Sequence, residues 1–396
     1  METDLEAKKI NIKYITNARM PTEKAHGYQI CKMCEDFSNC GVEIELIVPK
    51  RDNHIKETIF GFYNLEKNYS IKKIKSFDFF KLQKVIGSRL SHYLQSLTFL
   101  FHLCFLKVDG NEIIYTRNPG IIFLFKMRGC KTVYECHDWF SRSKILSLFF
   151  LKKCDFIITT NNFIKKEFLK NKFNKDRLCV APNGVNLEMF DLSLNKKEAV
   201  EKLSLDKMIK DSLLNNLVLL YTGSFRTMGE SKGIDEILEA LVRLKNKNII
   251  FIAVGGNKSD IKYYESKAKN LNLKNALFLD KVNQNKLAIF QKASDILLMP
   301  FPNKAHYKYF MTPLKTFEYM ASKRPIIASD LPSIREILDD NTALFCRPDS
   351  IDSLVEKIND LISNKNLVER ITKNAYTKVQ QYTWKKRAQK ILNFIK

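Results

Sequence analysis

The stretch Asp295-Ile-Leu-Leu-Met299, followed by Thr312-Pro-Leu-Lys-Thr-Phe-Glu-Tyr-Met-Ala321 and then by Pro325-Ile-Ile-Ala328, reads as strand, helix and strand. The two outer runs are short and apolar, bounded by polar residues or proline, as strands are. In the middle run Pro313 fits a first helical position, and Thr312 before it reads as the N-cap. Strand, crossover helix and strand make one βαβ unit of a parallel, doubly wound sheet.

Outward from this unit the same rhythm continues. Strands are expected over 217–221, 249–254 and 276–279, alternating with helices over 234–244, 260–270 and 285–292. A strand over 343–345 and a helical tail to Lys396 follow. Toward the N-terminus, strands are expected over 11–16, 42–48, 68–75, 112–115, 132–136 and 155–159. Helices separate them, one from about Tyr28 and others over 79–106, 119–127 and 141–152. Between the two series lies Val180-Ala-Pro-Asn-Gly-Val-Asn-Leu-Glu-Met-Phe190, with a Pro-Asn-Gly turn signal, and then a polar stretch to Asn216. The fold class is therefore α/β. Two Rossmann-like domains are expected over 1–187 and 188–381, with the terminal helix 382–396 completing the first. Ligands of such sheets bind beyond the carboxyl ends of the strands, so a cleft between two facing domains is the expected site.

Composition narrows the partners. The chain has 396 residues and a formal net charge of +23, with 45% hydrophobic and 28% charged residues, which excludes a mostly disordered protein. The positive charge is dispersed and no nucleic-acid-binding motif is present, so nucleic acid is not an expected partner. Anionic small molecules and an anionic membrane surface are. The nine cysteines are odd in number and several fall in apolar segments, as reduced thiols of a cytoplasmic protein do. Cys31-x-x-Cys34 lacks a second Cys or His pair, so no zinc site is expected. The N-terminus has no signal-peptide core, and the apolar run 97–106 is short of the roughly 20 residues that span a bilayer.

Three constellations could carry chemistry. After the strand at 217–221 comes Thr222-Gly-Ser-Phe-Arg-Thr-Met-Gly-Glu-Ser-Lys-Gly233. Gly223 and Ser224 suit close approach of an anion, Arg226 and Lys232 supply cations for a diphosphate, and a helix start follows. A solvated loop would carry the same residues. At the second, the free amides around Thr312, Pro313 and Leu314 open a helix on which Glu318 can meet a ribose diol, or simply favour the helix dipole. The third is Pro21-Thr-Glu-Lys-Ala-His-Gly27, where Lys24, His26 and Gly27 open a helix after the first strand. In addition, 79–106 mixes Lys81, Lys84, Arg89 and His92 with an apolar series, which suits either packing on the sheet or an anionic membrane surface.

Several of these segments together resemble the family 4 glycosyltransferases of the GT-B fold. The motifs that carry the likeness are 313–321 with Arg324-Pro-Ile-Ile-Ala-Ser-Asp-Leu-Pro332, Tyr221-Thr-Gly-Ser-Phe-Arg226, Ala181-Pro-Asn-Gly-Val-Asn186, Tyr115-Thr-Arg-Asn118 and Tyr134-Glu-Cys-His-Asp138. The resemblance implies retaining, metal-independent transfer of a sugar from a nucleotide-sugar, UDP- or GDP-linked, to a glycan or lipid-linked acceptor. It implies no cofactor, and a place in cell-surface polysaccharide synthesis at the inner face of the plasma membrane. Carried over residue by residue, Arg226 and Lys232 clamp the diphosphate and Glu318 holds the ribose. Thr312, Pro313 and Leu314 touch phosphate and sugar. Asp280, Lys281 and Val282 lie beside the base, and His137 near the reaction centre. The sequence departs from the pattern at Phe310, where the first of the family's two carboxylates would stand. A catalytically silent GT-B scaffold that binds glycan or membrane is the alternative reading.

Overall fold

A computed structural model describes residues 10–140, 144–227, 230–245 and 248–396, apart from the side chain of His92. The residues read against a signal peptide, the expected helix start at 141, and Met228 and Gly229 of the glycine loop lie outside the described residues. The chain forms two compact units. One holds the residues up to Ala181 together with Trp384–Lys396, the other Pro182–Thr383.

In the first unit, seven parallel strands form one sheet: β1 (Asn11–Ile15), β2 (Glu43–Lys50), β3 (Ser70–Lys75), β4 (Glu112–Thr116), β5 (Lys131–Cys136), β6 (Phe156–Thr159) and β7 (Leu178–Val180). Their order is β3-β2-β1-β4-β5-β6-β7, so the winding reverses between β1 and β4. Tyr14 of β1 pairs in register with Tyr115 of β4, and their buried rings lie 4.8 Å apart. The helix expected from Tyr28 starts earlier and spans Ala25–Asn39. The single helix expected over 79–106 is broken. Gly87, at φ 80°, separates Gln83–Ile86 from Ser88–Leu103, because a left-handed residue cannot continue a right-handed helix. Of the long piece, Ser91, Gln95, Phe99 and Leu103 face inward at helical spacing, while Leu90, Tyr93, Leu97 and Phe101 stay exposed. The terminal helix Trp384–Ile395 belongs to this unit and sets Trp384 edge-on to Tyr28.

Six parallel strands form the second sheet: β8 (Leu217–Thr222), β9 (Ile249–Gly256), β10 (Ala276–Asp280), β11 (Ile296–Met299), β12 (Ile326–Ser329) and β13 (Leu344–Cys346). The order β10-β9-β8-β11-β12-β13 puts the reversal between β8 and β11. Apolar side chains pack on both faces of the sheet. Residues 182–187, placed by their sequence in the first domain, are part of this unit. Asn183 Nδ2 donates to the Thr312 carbonyl at 2.6 Å, and the Val185 amide donates to the Tyr382 carbonyl at 2.9 Å. The helix after β11 spans Leu314–Ala321, with Pro313 rather than Thr312 as its N-cap. A residue before proline is driven to extended backbone, and Asn183 engages the Thr312 carbonyl there.

Candidate functional site

At the carboxyl end of β8, Tyr319 holds the strand tip: the Thr222 amide donates to its hydroxyl at 2.9 Å, and Thr222 Oγ1 lies 3.1 Å away. Gly223 follows at φ 111°. Lys232 Nζ returns to this point and donates to Ser224 Oγ at 2.8 Å. Gly233, at φ 99°, begins the helix Ile234–Arg243 immediately afterwards. A Cβ on Gly233 would meet the Pro300 carbonyl oxygen at 2.0 Å, so only glycine lets the chain turn here. Burial lowers the Lys232 pKa.

Glu318 faces the same region from the helix after β11. It is buried, and desolvation pushes its pKa up to about 7, opposed by Lys315 and by a hydrogen bond with Gln284. Thr312 is buried, Pro313 and Leu314 are half-buried, and the first amides of this helix have no acceptor within it. Gly223, Ser224 and Lys232 are thus brought together, with Glu318 coupled to them through Lys315. The Arg226 guanidinium lies 4.7 Å from the centre of the Tyr263 ring. Asp280 and Lys281 are exposed where edge strand β10 ends, two strands or about 10 Å from β8. Val282 packs against the core. Lys315 and Gln284 were not singled out by the sequence. A lysine near a helix start is ordinarily a solvated residue, so nothing local marks it.

The first unit centres on a residue that none of the three sequence constellations marks. Glu135, at the end of β5, is fully buried and accepts from the Tyr14 hydroxyl at 3.0 Å, Arg117 Nε at 3.4 Å and Arg387 Nη2 at 2.5 Å. Burial opposes its charge, yet Arg117, Arg387 and His137 outweigh that and hold its pKa well below the carboxylate range. His137 Nε2 lies 2.7 Å from the same carboxylate. Burial, then Arg117, lower the His137 pKa to about 4 against the pull of Glu135. At neutral pH the imidazole is uncharged. An ionised carboxylate only accepts, so Nε2 carries the proton and Nδ1 keeps its lone pair. His137 lines a pocket of about 370 Å³ with Arg117, Tyr134, Asp138, Trp139 and Phe140. A glutamate inside the apolar run Thr-Val-Tyr-Glu-Cys is the signal that could have found this hub, since buried carboxylates require partners.

Of the third constellation, His26 is half-buried in the first turn of Ala25–Asn39. Burial, then Arg117 and Lys24, push its pKa down to about 4. Lys24 is exposed at the N-cap. Gly27 has a packing role: its Cβ would sit 2.0 Å from the Tyr63 hydroxyl, which is bonded to the Thr22 amide and carbonyl at 2.8 Å each. Among the described residues, no group of three or more His, Cys, Asp or Glu is placed to hold a metal, and no helix is long and apolar enough to cross a membrane.

Comparison with known proteins places both halves of the chain. Residues 28–189 match the family described as Glycosyltransferase Family 4, and residues 206–378 match Glycosyl transferases group 1. The chain is 22% identical over 347 residues to the uncharacterized glycosyltransferase MJ1069 of Methanocaldococcus jannaschii, covering 85% of this chain and 83% of that one. It is 23% identical over 220 residues to the putative teichuronic acid biosynthesis glycosyltransferase TuaH of Bacillus subtilis, covering 51% of each. Sucrose-phosphate synthase of Thermosynechococcus elongatus has the same fold, with TM-score 0.73, 15% identity, and 97% and 98% of the two chains covered. So does Anabaena HepE, solved in complex with UDP and glucose, with TM-score 0.72, 15% identity and the same coverage. With a family match on each of its two Rossmann-like units, the chain belongs to the family 4-type glycosyltransferases of the GT-B fold.

Proposed function

We propose that the protein transfers a sugar from a nucleoside-diphosphate sugar to a glycan or lipid-linked acceptor, with retention, in the synthesis of a cell-surface polysaccharide. The observation that carries this reading is the Lys232 ammonium on Ser224, directly beyond β8 and beside Gly223. Breaking the donor's glycosidic bond leaves negative charge on a diphosphate, and stabilising that charge is the main catalytic demand. Lys232, the amides of the Gly223 loop and those opening the helix Leu314–Ala321 supply it, so the reaction as proposed requires no metal. Glu318, once ionised, accepts two hydrogen bonds from a ribose diol. A phosphate oxygen of the leaving group takes the acceptor's proton, and neutral His137 serves to orient a sugar in its aromatic pocket. The complex of HepE with UDP and glucose and the naming of TuaH as a putative teichuronic acid biosynthesis glycosyltransferase support a UDP-linked donor and an envelope polysaccharide.

The exposed row Leu90, Tyr93, Leu97 and Phe101 on a chain of net charge +23 supports a place on an anionic membrane surface, at the inner face of the plasma membrane. A catalytically silent scaffold of the same fold is the second reading, favoured by Phe310 in place of a carboxylate.

The test is thermal denaturation with UDP, GDP, ADP and CMP, using wild type, Lys232→Ala and Glu318→Ala. A ligand at 100 times its Kd should add about 2.7 kcal/mol, or a few degrees in Tm. One diphosphate should shift wild type and neither variant. Absence of any shift removes the donor-site reading. A shift without sugar transfer or donor hydrolysis from the matching nucleotide-sugars establishes the silent scaffold.

A further inference from the structure

The start of the helix after β11 carries an unusual group. Lys315 Nζ is shut off from solvent and has no hydrogen-bond partner. Its surroundings are aromatic faces, Tyr221 with its ring centre at 3.6 Å and Phe301 at 5.1 Å. The ammonium tip also lies 3.5 Å from the point where a Cβ on Gly223 would sit, against the loop on which Lys232 rests. An ammonium taken out of water without an acceptor is costly, and ring faces compensate only part of that. Lys232, the neighbouring cation, adds repulsion to that cost. Burial, followed by Lys232, lowers the Lys315 pKa well below the ordinary lysine value, with Glu318 opposing. Such an arrangement is relieved by an anion carrying more than one charge. Arg226, the cation that family resemblance pairs with Lys232, is meanwhile laid on Tyr263.

We propose that Lys315, rather than Arg226, is the second cation that holds the donor's diphosphate beside Lys232. The inference rests on the donor-site reading above and sharpens it. Lys232 and Lys315 approach the Gly223–Ser224 turn from different elements, the loop after β8 and the helix after β11, so a diphosphate seated at the turn bridges them. It provides the Lys315 ammonium with the acceptor it lacks and Lys232 with a charged one beside Ser224 Oγ, and it replaces their mutual repulsion by attraction.

The experiment is titration calorimetry of UDP and GDP with wild type, Lys315→Met and Arg226→Gln, together with the Tm of each protein without nucleotide. Methionine keeps the length and the aromatic contacts of Lys315 and removes the charge. Lys315→Met is expected to melt at or above the wild-type temperature and to bind the nucleotide at least tenfold more weakly. Arg226→Gln is expected to stay within about threefold of wild type. Uridine or guanosine, which lacks phosphate, should bind wild type and Lys315→Met equally. Wild-type affinity in Lys315→Met overturns the proposal and leaves the donor site standing, as does a tenfold loss confined to Arg226→Gln. A Lys315→Met protein melting several degrees low overturns the premise that the protein leaves this ammonium uncompensated. If wild type binds neither nucleotide, the donor-site reading falls and the proposal falls with it.

Discussion

Glu135 and Arg387 stand 252 positions apart in the chain and share a hydrogen bond of 2.5 Å, with both side chains closed off from water. That contact ties the terminal helix Trp384–Ile395 to the end of β5, at the carboxylate that also receives Arg117 and His137. The last turns of the chain thus reach the residue that orients His137.

Replacing Arg387 by methionine should destabilise the protein by about 3 kcal/mol, the cost of removing one partner from a buried ion pair. Arg117 still faces the carboxylate, which keeps the loss near the lower end of that range. Urea denaturation measures it. A loss below about 1 kcal/mol would show that the bond contributes little to the fold.

His137 makes stability fall in mild acid. Its folded pKa of about 4 lies below the ordinary 6.5, so between these values the unfolded chain binds the extra proton. Stability therefore rises with pH across this window, and up to about 3 kcal/mol is lost on acidifying from pH 7 to 4. His137→Gln should flatten that part of the profile. An unchanged slope in the variant would place the acid sensitivity elsewhere.

Glu318 acts in the opposite sense. Its pKa is raised in the folded state to about 7, so the folded protein binds the proton more tightly between the ordinary carboxylate value of 4.5 and that point. Its contribution is greatest below pH 4.5 and is lost as the pH rises through 7. Glu318→Gln should exceed wild type in stability at pH 8 by up to about 3 kcal/mol and match it near pH 4.5. Parallel curves for the two proteins across that range would contradict the assignment.

Gly233→Ala should cost about 3 kcal/mol or more, since it combines a disfavoured backbone with a clash against the Pro300 carbonyl. It should also weaken nucleotide binding by displacing Lys232. Gly110→Ala, with open space around it, is the control and should stay within about 0.5 kcal/mol. Equal effects would mean that the backbone at Gly233 relaxes freely.

The double change Leu97→Glu and Phe101→Glu lies on an exposed helix face and should leave Tm within about 2 °C of wild type. Co-sedimentation with vesicles of anionic phospholipid should fall at least fivefold. Wild-type sedimentation by the double variant would remove this face from the membrane reading.

The alternation of strands and helices, the glycine loop after β8 and the helix bearing Glu318 are all legible in the chain of residues alone. These depend on local matters: runs of apolar residues, the φ freedom of Gly223 and Gly233, and a proline that marks a helix start. Even there the sequence misplaced Thr312 by one position, because the extended backbone before Pro313 is anchored by Asn183, 129 residues earlier. It also read through the break at Gly87, since the apolar spacing continues on either side. Which charges are buried, and what they meet, emerges only from the folded arrangement. Glu135 acquires Tyr14, Arg117 and Arg387 only because β1 and β5 flank β4 and the terminal helix returns to their sheet. Lys315 looks like any surface lysine until the pairing of β8 with β11 encloses its tip between Tyr221, Phe301 and Gly223. The pattern along a chain encodes conformation, but desolvation and pairing are properties of neighbours in space, and those exist only once the sheet order is set.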